Sequence, residues 1–79
     1  MKIGKAIRDI RRFKRAKFGL KEYSGRACAE RAGMMTSRWY DLEADRGSPS
    51  IDTVEKVAKA LGTTVDALIS RSNERKANQ

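Results

Sequence analysis

Histidine is absent from the 79 residues, while cysteine and proline occur once each. With Cys28 as the lone thiol, the chain lacks the ligand set of a zinc or haem centre, and no internal disulfide can form. No metal or cofactor is expected. There is no phosphate-binding glycine loop, no histidine to act as a general base and no activating setting around Cys28, so the groups of an enzyme are missing. No apolar run approaches the roughly 20 residues that a membrane-crossing helix needs. The opening Met1-Lys2-Ile3-Gly4 is not an apolar leader, which points to the cytoplasm and a reduced thiol. A chain this short supports one small domain with a modest core.

Basic charge is plentiful, and it is unevenly spread. The formal net charge is +8. Residues 1–31 hold eleven Lys or Arg against three acids, and residues 32–79 hold seven of each. The excess is densest in Arg11-Arg12-Phe13-Lys14-Arg15-Ala16-Lys17. A one-sided basic stripe suits a polyanion, either nucleic acid or an anionic membrane face, although a solvated helix face would read the same way.

Ile3, Ile7 and Ile10 recur at helical spacing with cationic residues between them, which predicts an amphipathic first helix to about Lys17. Phe13 or Phe18 could continue its stripe, and Gly19 is placed as its stop. A basic amphipathic helix can also bind a membrane surface, but this stripe is narrow, aliphatic and without Trp. Leu20 and Tyr23 either extend the next helix backwards or pack as a loop; the preferred start of that helix lies between Lys21 and Ser24.

Gly25 to Asp45 reads as two short helices with a turn at Gly33. Ala29 is small enough for a close helix crossing, and Gly33 can take the left-handed conformation. Trp39 and Leu42, three apart, face the core, as do Cys28 and the neighbouring Met34. The pattern is that of a helix–turn–helix. Asp45-Arg46-Gly47-Ser48-Pro49-Ser50 is a loop, Ser50 is a good N-cap, and Ile51, Val54, Val57, Ala58 and Leu61 form the next helical face. Gly62 ends that helix. Thr64 caps a last one, in which Val65, Leu68 and Ile69 are apolar. The expectation is five helices, all α, in a domain over residues 1–70, with a disordered basic and polar tail over 71–79.

From Ile3 to Ile69 the chain resembles the lambda-repressor and Cro-like (Xre) helix–turn–helix family. The match is carried by Ala29, Gly33 and Met34, Trp39, Leu42-Glu43, Ser48-Pro49-Ser50-Ile51, Val57-Ala58-Lys59-Ala60-Leu61-Gly62 and Val65-Asp66-Ala67-Leu68. The resemblance implies a five-helix DNA-binding domain that acts as a homodimer on palindromic operators to repress transcription. Gly25 stands where the family often has a glutamine that clamps a DNA phosphate. Extra residues between the first two helices put Arg15, Lys17 and Lys21 in a position to take over backbone contacts. Asp45 replaces the usual glycine after the motif, which reads as a shifted loop near Gly47.

By the family's pattern the base-facing positions fall on Thr36, Ser37, Tyr40 and Asp41, with Met35 at the helix entrance. Thr36 and Ser37 can meet bases or phosphates, or cap the helix. Tyr40 can stack on a sugar, bond a phosphate or pack half-buried. Asp41 can accept from a cytosine amino group or pair with Arg38, the preferred reading. Phosphate contacts are expected from Arg11, Arg12, Arg15, Lys17, Lys21, Arg38 and Arg46. Leu68 and Ile69 are adjacent, cannot both face one small core, and are the candidate dimer interface. The expected function is a sequence-specific DNA-binding transcriptional regulator on double-stranded DNA, with no membrane. The alternative is an antitoxin-type module that binds a small protein partner through the 11–17 segment or the tail and represses its own operon.

Overall fold

The computed structural model describes residues 2–77, with side chains described as far as residue 72. Among these residues there are six helices: α1 (Gly4–Phe18), α2 (Leu20–Tyr23), α3 (Gly25–Ala32), α4 (Thr36–Glu43), α5 (Ile51–Ala60) and α6 (Val65–Ala77). The fold is all-α, with one helix more than expected. The additional one is α2, a single turn that the ambiguous stretch around Leu20 and Tyr23 adopts. Gly19, at φ +107°, breaks the chain after α1. Ser24 is extended, so α2 cannot run into α3, and its Oγ accepts from the Ala27 N–H at 3.0 Å to cap α3.

The core is a layer of small and aliphatic side chains around a fully buried Trp39: Ile3, Ala6 and Ile7 from α1, Cys28, Ala29 and Ala32 from α3, Leu42 from α4, and Val54, Val57, Ala58 and Leu61 on and just beyond α5. The apolar stripe of α1 ends at half-buried Ile10; Phe13 and Phe18, the expected continuation, are exposed. The turn between α3 and α4 follows the expected design. Gly33 is left-handed at φ +72°, its N–H and that of Met34 fold back onto the end of α3, and Ala29 is fully buried at the crossing.

The other caps follow the sequence as well. Ser50 Oγ accepts from the Thr53 N–H, and Thr64 Oγ1 from the Ala67 N–H. Asp45 departs from expectation: it takes the left-handed conformation itself, at φ +58°, and no shift of the loop is needed. Its carboxylate accepts from the Gly4 N–H at 2.8 Å, so the residue that ends α4 also caps α1. This contact gives a physical reason for Asp at a position that glycine would occupy with less strain. Gly4 is fixed for a complementary reason: a Cβ there would collide with the backbone carbonyls of Leu42 and Glu43.

The helix α6 continues past Arg71, where the sequence suggested a disordered tail, and its backbone runs to Ala77. Residues 78–79 of that expected tail lie outside the described residues. Leu68 is fully buried, and the hydroxyl of Ser72 donates to the Lys2 carbonyl at 2.9 Å, tying α6 to the N-terminus. No helix among the described residues is long and apolar enough to cross a membrane.

Candidate nucleic-acid interface

The helix α4 carries the candidate base-reading residues, and its inner face is held from both ends. Trp39, Leu42 and Glu43 are buried. At about 100° per residue, these three define one side, and Ser37, Tyr40, Asp41 and Ala44 fall on the other. Ser37, Tyr40 and Ala44 are exposed, while Thr36 and Asp41 are half-exposed at the edges of the same stripe. Neither hydroxyl of the first turn serves as the cap: the N-cap is Met35, with no side-chain hydrogen bond, and Met35 is itself 76% exposed. The leading N–H groups of α4 therefore lack a side-chain acceptor, the condition in which a helix terminus can receive an anion.

What fixes α4 to α1 is a buried ion pair. Arg11 Nε donates to Glu43 Oε2 at 2.6 Å and Nη2 to Oε1 at 3.0 Å, a two-pronged contact. Arg11 and Glu43 are only 6% and 7% exposed. Trp39 Nε1 donates to the same carboxylate, and Arg11 Nη1 reaches the Tyr23 carbonyl at 3.5 Å. Hydrogen bonding to Glu43 drives the Arg11 pKa above its ordinary value, against the opposing effect of burial. Arg11 is thus withdrawn from the phosphate contacts expected of it; its charge is spent inside the domain.

The sequence held a signal for this. Ile3, Ile7 and Arg11 follow one another at intervals of four, so Arg11 sits on the apolar stripe, and a charge there needs a buried partner.

The remaining expected phosphate contacts divide by position. Arg12 is exposed and Arg15 half-exposed on the stripe that Arg8 begins, three or four residues apart along α1. Lys17 lies about half a turn away from Arg8 around the helix and does not join them; its ammonium stands 5.6 Å from the Phe18 ring. Lys21 is exposed on α2, and Arg38 is exposed in the first turn of α4. Arg46 is exposed and close to α4, where its Nη1 donates to Asp41 Oδ1 at 3.1 Å. The partner of Asp41 is therefore Arg46, five residues later, rather than Arg38: the left-handed turn at Asp45 folds Arg46 back over the end of α4.

Tyr40 explains the glycine at position 25. A Cβ on Gly25 would run into the Tyr40 hydroxyl and ring, so the ring covers the start of α3 where a side chain would otherwise project. The Arg11 guanidinium lies 5.8 Å from the centre of that ring. The phenol is 48% exposed and stands between the N-terminus of α3 and the outward face of α4.

Two expectations about apolar residues resolve differently. Leu68 is core and cannot be interface, whereas Ile69 is half-exposed. Cys28 is fully buried, and burial pushes its thiol pKa up, so it stays a neutral core group. Arg8 is a residue that the sequence reading did not single out. With Arg11, Arg12, Tyr40, Glu43, Ala44 and Arg46 it lines a hollow of about 380 Å³ between α1 and α4.

Comparison with known proteins agrees with this geometry. The family described as "Helix-turn-helix domain" matches residues 5–70. The immunity repressor protein of Bacillus phage phi105 is 41% identical over 51 residues, which make up 65% of this chain and 35% of that protein. The chain thus spans about a third of the length of that relative. No solved structure matches. A buried-faced α4, a left-handed Gly33 and a family match over nearly the whole chain agree: the protein belongs to the helix–turn–helix DNA-binding family, in its Xre-like, lambda-repressor form.

Proposed function

We propose that the protein is a sequence-specific transcriptional repressor that binds a palindromic operator as a homodimer. The observation that carries this reading is the outward stripe of α4. Thr36, Ser37, Tyr40 and Asp41 offer donors, acceptors and one aromatic ring on a helix whose other side is locked by Trp39, Leu42 and Glu43. Short polar side chains on a rigid helix suit the edges of base pairs in a major groove. Flanking arginines supply affinity without sequence information. The phage relative is named an immunity repressor, which supports repression as the mode of regulation.

One α4 can cover only a half-site. Two copies would place their reading helices about 34 Å apart, one turn of DNA. Ile69, half-exposed beside buried Leu68, is the residue from which the interface is built in this reading. Selection of bound sequences from random DNA tests the whole proposal. The expected result is an inverted repeat whose half-sites are one helical turn apart. Enrichment of no sequence at all would remove the specific-regulator reading, and enrichment of an unrepeated site would remove the dimer. Binding to the selected site should fall by roughly 10³ to 10⁵ between 50 and 200 mM salt if six to ten phosphates are contacted.

A second reading, a protein-partner module of the antitoxin kind, draws support from Phe13, Phe18 and Leu20, which are each more than half exposed among the lysines of the α1–α2 end. Co-purification of a second small protein with the native chain, lost on changing Phe13 and Leu20 to Ser, would favour it. Recovery of the chain alone from its own cells would leave the repressor reading in possession.

A further inference from the structure

An acid stands on the outward face of α4. Asp41 shares that stripe with Ser37, Tyr40 and Ala44, and its side chain is 40% exposed. A carboxylate brought to a duplex is repelled by the phosphates on either side of the groove, so at this place it weakens binding unless its charge is offset and its oxygens find donors. The chain supplies the first of these. Arg46 Nη1 donates to Asp41 Oδ1 at 3.1 Å, and the Arg46 backbone N–H donates to the Asp41 carbonyl at 2.9 Å. Both contacts depend on Asp45, whose left-handed backbone at φ +58° turns the chain back over the end of α4. Side chain and backbone of Arg46 are thereby registered on the same residue.

The pair does little for the fold. The Arg46 side chain is 76% exposed, and an exposed ion pair adds little to stability. Its effect is on the carboxylate itself: the guanidinium offsets the negative charge and occupies Oδ1, which orients the group and leaves Oδ2 to accept a second hydrogen bond.

The edges of the base pairs narrow what can donate to Oδ2. In the major groove only the amino groups of cytosine and adenine donate, while guanine and thymine offer acceptors. Adenine carries its N7 acceptor beside the amino group, so a carboxylate attracted by one is repelled by the other, and an amide suits that edge better. Cytosine presents its N4 amino group with no acceptor beside it on the same base edge.

We propose that Asp41 reads cytosine, with Oδ2 accepting from the N4 amino group of one cytosine in each half-site, and that Arg46 is the positioning residue that holds and neutralises the carboxylate; the proposal rests on the DNA-binding reading above. The pair then sets one base of the operator.

The test puts the full chain, Asp41→Asn, Arg46→Gln and Arg46→Lys through selection from random DNA. Affinities are then measured on the selected operator and on a copy in which the C·G pair in question is T·A. The parent should enrich cytosine at one position of the half-site and bind the T·A copy roughly tenfold more weakly, the size of one mismatched base pair. In Asp41→Asn the side-chain carbonyl stays on Arg46 and an amino group replaces Oδ2, so the cytosine preference should vanish while the other positions keep theirs. Arg46→Gln should lower the C-over-T ratio severalfold, and Arg46→Lys should restore part of it. Loss of a mere phosphate contact would weaken both duplexes alike and leave that ratio unchanged, which would overturn the positioning role. A cytosine preference that survives Asp41→Asn, or a half-site without cytosine, would overturn the reader and leave the DNA-binding reading intact. Survival in Asp41→Asn together with loss in Arg46→Gln would assign the base contact to Arg46 on the paired guanine instead. A parent that enriches no sequence would remove the specific DNA-binding reading, and this proposal with it.

Discussion

Between Gly4 and Arg11, α1 is packed against α4 and the loop behind it, whereas from Arg12 to Phe18 the same helix presents half-buried and exposed side chains. The two halves are similar in sequence, each mixing basic residues with apolar ones at helical intervals. What separates them is the element opposite. The first half meets the C-terminal end of α4 so closely that Gly4 cannot carry a Cβ, and its arginine is drawn into a buried carboxylate. The second half meets the single turn α2, where Phe18 and Tyr23 stack with centroids 5.9 Å apart and Lys14 and Lys17 hover over Phe18. Amphipathic periodicity marks the side of a helix that can be buried; the partner opposite decides whether it is.

The largest expected effect comes from breaking the first half at its polar centre. Glu43→Ala leaves the Arg11 guanidinium buried without a counter-charge and orphans Trp39 Nε1–H as well. Removal of one member of a buried pair costs about 3–5 kcal/mol, a large share of the roughly 5–15 kcal/mol available to a small domain. Urea denaturation followed by Trp39 fluorescence measures it. If the midpoint moves by the equivalent of less than about 1 kcal/mol, the pair is not what joins α1 to α4. Combining Glu43→Leu with Arg11→Met should recover much of the loss, because no charge is then stranded. Gly4→Ala ranks next, at about 1–3 kcal/mol, since the obstructing atoms are backbone carbonyls that cannot rotate aside.

A smaller effect on stability but a larger one on binding is expected at Gly25. In Gly25→Ala the new methyl meets the end of the Tyr40 side chain, which is half exposed and can swing away. The fold should lose no more than about 1 kcal/mol, and the better helix propensity of Ala offsets part of that. The phenol, displaced from the start of α3, would no longer hold its place beside the outward face of α4. Duplex affinity should therefore fall in Gly25→Ala and fall no further in the double variant with Tyr40→Phe. If the two losses simply add, the glycine and the tyrosine act independently and the packing argument fails.

Much of this arrangement was legible from residue order. The caps at Ser50 and Thr64, the left-handed Gly33, the inward Trp39 and the outward stripe of α4 follow from spacing and residue chemistry that act within a few positions. The features that were missed depend on contacts across the chain. Arg11 and Glu43 are 32 positions apart, and Gly4 and Asp45 are 41 apart. Arg11 looked like its basic neighbours because local sequence records charge and not what lies across the helix, although its place on the Ile3–Ile7 stripe was a usable sign. Helical spacing pairs Asp41 with Arg38, whereas the bend at Asp45 brings Arg46 to it instead. Leu68 and Ile69 are adjacent in sequence, and only the packing of α6 against α1 and α5 decides that Leu68 is the one that turns inward.

The smallest expected effect tests the second half of α1. Phe13 is 63% exposed, and on the helix it lies well away from the Arg8–Arg12 stripe. In Phe13→Ser an exposed helix position exchanges a ring that buries little for a hydroxyl of similar helix propensity, so stability should stay within about 0.5 kcal/mol of the parent. The comparison within one helix is then direct, because Ile7→Ser, one and a half turns earlier and 1% exposed, removes a core side chain and should cost several times more. A loss well above 1 kcal/mol in Phe13→Ser would mean that Phe13 is covered in solution. Repeating the denaturation over a range of protein concentrations would then identify the cover: a midpoint that rises with concentration points to a second copy of the chain on this face. That result would move the proposed dimer contact from Ile69 to the α1–α2 end. A concentration-independent loss would point instead to a contact within the chain, and the two halves of α1 would be less different than their exposure suggests.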